Sequence, residues 1–186
     1  MQVMNRVYKC NYFNMRCKQC KQKFEPKYFN QKYCLIKDEC IKHFAEQTKL
    51  KAWNEKKKKV KNDLLTLQDW MKLAQQVFNK YIRERDKGKP CIACGSNNMK
   101  KVNASHYYSA GGHYNVRFDE NNVFSGCEHC NTFLSGNLIP FRENLIKRIG
   151  YESFEKLTID SQITRKFTIE ELKQIIETYK QKLKNK

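Results

Sequence analysis

The sequence predicts a small, zinc-stabilised α+β protein. Three observations carry that expectation. The cysteines gather into two clusters, capped helical patterns flank the second cluster, and a short aromatic, β-branched stretch lies inside it. The 186 residues suffice for one ordinary domain or two small ones.

Composition narrows the function before any motif does. Lys and Arg number 37 against 19 Asp and Glu, a formal net charge of +18. So much like charge repels itself in a compact fold and is at home beside a polyanion. Nucleic acid is therefore the leading expected partner, and an anionic membrane surface is the alternative. No run of about 18 apolar residues is present, so no membrane span is expected. The N-terminal stretch MQVMNRVYKCNYFNMRC lacks the apolar core of a signal peptide, which points to the cytoplasm or a nucleus. In such a compartment nine cysteines read as metal ligands rather than disulfides.

Four segments follow in order: a zinc-binding region over 1–45, a basic helical segment over 46–89, a second zinc-bound core over 90–150, and C-terminal helices over 151–186. In the first, Cys17-x2-Cys20, 13 residues and Cys34-x5-Cys40 fit a structural zinc. Cys10 or His43 is able to replace a member; otherwise Cys10 is left as a partly buried free thiol. In the second, residues 41–62 contain no Gly or Pro, and 49–62 hold seven Lys and one Glu, a local charge of +6. Such a run is a solvated helix face or linker, or a strip of phosphate contacts through Lys56, Lys57, Lys58, Lys59 and Lys61. Arg117 is a further expected DNA contact. A clearer helix opens on a capping-box-like Thr66-Leu-Gln-Asp69. It carries Trp70, Leu73, Val77, Phe78, Tyr81 and Ile82 at helical spacing and should end near Gly88-Lys89-Pro90. That stripe reads as core, or equally as a dimer surface.

The third segment holds Cys91-x2-Cys94, then 32 residues, then Cys127-x2-Cys130. Two such thiolate pairs complete a tetrahedral zinc site with no open position, which does no chemistry but fixes both ends of 95–126. The stretch VNASHYYSAGGHYNVRF inside it reads as two short strands joined by a loop. A helix start follows at Cys130, and Pro140 opens another helix stopped by Gly150. In the fourth segment Thr168-Ile-Glu-Glu171 caps a last helix with Leu172, Ile175, Ile176, Tyr179 and Leu183 on one face. Two four-thiolate zinc sites, each carrying −2, would lower the charge from +18 to about +14.

Between the zinc pairs, His106, Asn122 and Asn131 occur in that order in ASHYYSAGGHYNVRFDENNVFSGCEHCN. This arrangement resembles the HNH, or ββα-metal, endonucleases, many of which also carry two flanking Cys-x-x-Cys pairs. More specifically, RFDE.N, C..CN...SGN and the following IG resemble the NinG (Rap) family of lambdoid phage recombination proteins. CKQCKQKFEPKYFNQKYC is similar to that family's amino-terminal cysteine region. The likeness is strongest from Cys91 to Gly150 and weak over 41–90 and 151–186.

The resemblance implies an HNH-like nuclease core over 90–150 in a phage- or prophage-encoded protein of the bacterial cytoplasm. It implies metal-dependent endonuclease action on branched DNA, including Holliday junctions and D-loops, with products bearing 5′ phosphates. By the same likeness His106 is the general base and Asn122 pins the loop that orients it. Asn131, with Ser105, would bind a catalytic Mg²⁺ or Mn²⁺. Cys91, Cys94, Cys127 and Cys130 are the structural zinc ligands. Ser105 departs from the pattern, which usually has Asp, Glu or His there, and Asn103, His113 and Asp119 are alternative sources of charge. His129 reads as a surface residue. Symmetric cutting of a four-way junction needs two active sites, so a homodimer is expected. The rival readings are a non-catalytic zinc-finger DNA-binding protein, an HNH nicking or restriction-type nuclease, and an RNA-binding zinc protein.

Overall fold

The structure, a computed structural model, describes residues 15–185, and Cys10 lies outside them. These residues divide into two units, 15–64 and 65–185. The boundary falls inside the basic segment 46–89 that the sequence grouped together. No helix among the described residues is long and apolar enough to cross a membrane.

In the first unit, strands β1 (Met15–Arg16) and β2 (Lys23–Phe24) pair antiparallel, Met15 opposite Phe24. The turn between them is the first cysteine pair. Its chain reversal is closed by Cys17 N–H to Gln22 O at 2.9 Å, with Lys21 at a φ of 61°. A loop then brings Cys34 back to the pair, and Cys40 sits in the first turn of α1 (Asp38–Asp63). Cys40 is the one buried residue of this helix. Its 26 residues, rich in Lys and free of Gly and Pro, exceed the length at which an isolated helix becomes self-supporting. The four consecutive lysines 56–59 wrap around the helix, because successive side chains turn by about 100°. They do not make one strip.

The second unit is a hairpin held between two helical layers. α2 (Leu67–Arg85) opens on the capping box, with Thr66 Oγ1 accepting from Asp69 N–H and the Asp69 carboxylate accepting from Thr66 N–H. β3 (Val102–His106) and β4 (Val123–Cys127) pair antiparallel, His106 opposite Val123 and Ser105 opposite Phe124. α3 (Leu138–Ile149), α4 (Tyr151–Ser161) and α5 (Ile169–Lys184) follow. Side chains alternate across a strand. Ala104 and Val123 therefore share one face and pack with Phe78 and Ile82 of α2 and Tyr179 of α5. Phe124 on the other face packs with Phe141 and Leu145 of α3 and Phe154 and Leu157 of α4.

The apolar stripe of α2 is core: Ala74, Phe78, Tyr81 and Ile82 are buried against α5 and the hairpin. Leu73 of the expected stripe stays exposed. The second strand also differs from the expected one. HYNVRF is not extended; it forms a loop with a short 3-10 turn over Tyr114–Val116, and the strand is Val123–Cys127. Apolar residues of that loop, Val116 and Phe118, enter the two cores on either side of the hairpin, which explains their strand-like composition.

β4 has a free edge away from β3, and several of its backbone groups are met from outside the hairpin. Ser125 N–H donates to Asp86 at 3.1 Å, Arg85 donates to Val123 O at 2.7 Å, and Ile92 N–H donates to Ser125 O at 3.0 Å. Unmet strand edges invite wrong pairing, and this one is covered by the end of α2 and the first cysteine pair of the unit.

Candidate active site and metal centres

Two groups of four sulfurs are assembled. Cys17, Cys20, Cys34 and Cys40 form one, and Cys91, Cys94, Cys127 and Cys130 the other, with all sulfurs of a group within 4.8 Å of one another. Both are suited to hold zinc, a metal that four thiolates enclose completely. In the first group Cys40, not His43, is the fourth member; the His43 ring lies 5.4 Å from that of Tyr33.

The second group fits a cation by its hydrogen bonds. Cys127 N–H donates to Cys91 Sγ at 3.3 Å, Cys130 N–H to Cys127 Sγ at 3.4 Å, and the Asn137 amide to Cys130 Sγ at 3.6 Å. Burial works against the Cys91 thiolate, but surrounding N–H groups outweigh it and bring the thiol down to about 7. Burial pushes Cys130 up to about 12, so a thiolate there requires the positive charge of a metal. Cys94 is the exposed member and Cys91 and Cys130 are buried.

Asn137 supports this centre from an unusual backbone. Ser135, Gly136 and Asn137 follow one another at positive φ, 47°, 95° and 49°. Asn144 donates to Ile92 O and Ala93 O at 3.0 and 3.2 Å, holding the other cysteine pair. Neither asparagine was singled out in the sequence, although Asn137 belongs to the SGN triplet quoted above.

Asn122 ties the two ends of the loop between the strands together. Asn122 is fully buried. Its Nδ2 donates to Tyr108 O at 2.9 Å and Val116 O at 3.0 Å, and its Oδ1 accepts from Tyr108 N–H at 2.8 Å. The loop so fixed carries Arg117, whose carbonyl accepts from His106 Nε2–H at 3.1 Å. A carbonyl only accepts, so Nε2 bears the proton and Nδ1 keeps the lone pair. Burial holds the His106 pKa below its ordinary value of 6.5, so the ring is neutral at pH 7.

The other expected site residues divide. Strand alternation puts Ser105 and Asn103 on the face opposite His106. That face packs with Cys130, which immediately precedes Asn131. Asn131 lies in a π-helical turn, His129–Phe133, and is half-buried. His113 Nδ1 donates to Ser161 O at 3.0 Å and its ring lies against Tyr108. Asp119 accepts from Asn121 N–H at 2.8 Å in a turn. His129 is exposed. The half-buried Arg117 guanidinium donates to Gln75 Oε1 at 2.7 Å and to Ala110 O at 3.1 Å. Lys56, Lys57, Lys58, Lys59 and Lys61 are all exposed on α1.

These residues do not fit a resident Mg²⁺ or Mn²⁺. The Ser105 hydroxyl is fully enclosed without a hydrogen-bond partner, at a point where Gly126 leaves room: a Cβ on Gly126 would lie 2.4 Å from it. No hydrated ion reaches it there. Among the described residues the two cysteine groups are the only sets of three or more His, Cys, Asp or Glu placed to share a metal. Hard divalent cations draw on charged oxygens, and a lone half-buried amide does not supply them.

A family model described as "NinG: Bacteriophage Lambda NinG protein" matches residues 10–186. "Protein ninG" of Escherichia phage lambda is 37% identical over 191 residues, covering 91% of this chain and 92% of that one. The proteins of the same name from Escherichia phage 933W and Salmonella phage P22 are each 36% identical, with the same coverage. No solved structure matches the chain.

Proposed function

The chain belongs to the NinG family, and from that membership we propose that it is a DNA endonuclease of the HNH type acting on branched recombination intermediates, four-way junctions and D-loops among them. The observation that carries the reading is the relay from Asn122 to His106. A buried amide fixes the loop, the loop's Arg117 carbonyl takes the Nε2 proton, and a neutral imidazole is left with its Nδ1 lone pair as the base.

In that role His106 would take a proton from water as its oxygen attacks the phosphorus in line, the bond to the 3′ oxygen breaking opposite to leave a 5′ phosphate and a 3′ hydroxyl protonated from solvent. The imidazole enters the reaction neutral, and burial gives it a reason to pass the proton on. A charge of +18 supports binding to phosphates with steep salt dependence and little sequence preference. The thiolate centres hold the loop ends and take no part in proton transfer. A homodimer would supply the second site that symmetric cutting requires.

A second reading, a DNA-binding protein without catalysis, draws on the neutral donor set around Ser105 and Asn131. One assay separates the two. The zinc-loaded protein is incubated with a four-way junction and a matched linear duplex, in Mg²⁺, in Mn²⁺ and in EDTA. Cutting of the junction that disappears in His106→Ala supports the nuclease. If it also requires a divalent ion, that ion arrives with the DNA phosphate rather than residing in the protein. Tight junction binding with no cutting in any ion removes the nuclease reading and leaves the second.

A further inference from the structure

The first unit contains an open cleft of about 780 Å³ between the cysteine loop and one face of α1. The helix contributes Phe44, Lys51 and Lys58, seven residues apart and so on one face, with Gln47 and Asn54 between them. The loop contributes Tyr28, Tyr33, Lys18 and Lys32. Four lysines and one glutamate, Glu55, line it, a net charge of +3.

The loop wall is built rather than incidental. Gln31, 3% exposed, accepts from Lys27 N–H and donates to Tyr33 O, both at 2.7 Å. Lys18 N–H donates to Lys32 O at 2.9 Å, tying this wall to the first cysteine pair. Tyr33 packs on Phe44 with ring centroids 5.7 Å apart. Tyr28 is nevertheless 51% exposed and Phe44 37%. None of the four lysines makes an ion pair among the described residues.

We infer that this cleft binds single-stranded DNA, stacking unpaired bases on Tyr28 and Phe44 while the lysines take the phosphates. The charge selects a polyanion. The exposed rings select one whose base faces are free, since duplex DNA shows only base edges in its grooves. The side-chain amides offer donors and acceptors to any base, so little sequence preference is expected. The inference rests on the reading of the chain as a DNA enzyme, and gives that enzyme a way to hold the unpaired strand that a D-loop displays.

The test uses the full zinc-loaded chain and a fluorescein-labelled oligo-dT, read by anisotropy without added Mg²⁺ or Mn²⁺. An abasic strand of the same length serves as a second probe. Stacking on aromatic rings is worth about 1–3 kcal/mol per base, so Tyr28→Ala with Phe44→Ala, which removes two stacks, should weaken oligo-dT binding by about 30-fold or more. Tyr28→Phe should bind as the parent does, which separates lost stacking from lost folding. The abasic strand should bind the parent more weakly than oligo-dT, and the double alanine variant should not distinguish the two. Equal binding of both strands by the parent, or unchanged oligo-dT binding by the double variant with two zinc ions retained, overturns the inference. Oligo-dT binding that responds as expected in a protein that cuts no junction supports the cleft and removes the nuclease reading alone.

Discussion

Replacing Asn122 by Asp changes one buried atom group and has a pH-dependent cost. The side chain is fully buried, and its Nδ2 serves two carbonyl oxygens at 2.9 and 3.0 Å. In Asn122→Asp a carboxyl oxygen faces those same two carbonyls. Ionised, it would add negative charge beside two negative dipoles away from water, so its pKa in the folded protein rises well above the usual value of about 3.9. The folded state then keeps a proton that the unfolded chain releases. Stability is therefore fullest below about pH 4 and falls as pH rises toward the folded pKa. The slope is about 1.4 kcal/mol per pH unit, or about 2.7 kcal/mol between pH 5 and 7 if the folded pKa lies above 7. Asn122→Ala leaves Tyr108 N–H and Tyr108 O without these partners, while Val116 O keeps Asp119 N–H at 3.2 Å, and it lacks this slope. At about 1–3 kcal/mol for each unmet group, partly relieved by relaxation, its loss is about 3–5 kcal/mol at every pH. The assay is urea unfolding with two equivalents of zinc at pH 5, 6, 7 and 8, read as variant minus parent so that other titrating groups cancel. A difference for Asn122→Asp that stays flat or shrinks as pH rises would refute the reasoning.

Three further outcomes are expected. His106→Ala should abolish junction cutting while leaving the junction Kd within about twofold; because burial lowers the His106 pKa, cutting by the parent should persist below pH 6.5, and a pH–rate profile that falls with a midpoint above 6.5 contradicts the base assignment. Burial acts to raise the Asp86 pKa, but hydrogen bonds and charge from Arg85, Ser125 N–H and Lys89 bring it below 3.8; its contribution is thus present above the unfolded pKa and lost as pH falls through the folded one. Asp86→Asn should cost about 3 kcal/mol in urea unfolding at pH 7, since Arg85 loses a buried partner, and a cost under about 1 kcal/mol would show that the clamp on β4 does not matter. Cys130→Ser should lower bound zinc from two ions per chain to one while the first unit keeps its own, and two ions remaining by metal analysis would remove Cys130 from the ligand set.

Much of this architecture is written in local signals. The cysteine spacings identify both sulfur groups, and Thr66 and Thr168 cap α2 and α5 as their capping boxes require. What the sequence hides depends on distance along the chain. The second strand is misplaced because Val116 and Phe118 fill cores from a loop, and the loop's shape comes from Asn122, whose three bonds reach residues 6 and 14 positions away. The Arg85–Asp86 clamp grips backbone groups 35 to 39 residues on, which no periodicity announces. Ser105 is legible as a departure from the HNH pattern, but its enclosure over Gly126 is visible only once strand register is known. The aromatic cleft escapes because its loop residues carry no helical or strand period.

With zinc held by the second sulfur group, the exposure of Cys94 would limit the chemical lifetime of the second unit. Oxidants and competing soft metals attack sulfur they can touch, and of the four sulfurs Cys94 is the exposed one. Conversion of that sulfur to a sulfenic acid would leave three ligands, two of them buried thiolates that lose their counter-charge. The chain would then fail through its slowest-looking part: peroxide would release one end of residues 95–126 and disorder His106 without ever reacting with it. A reductant supplied in time would reverse the loss, and a chelator present at that moment would make it permanent.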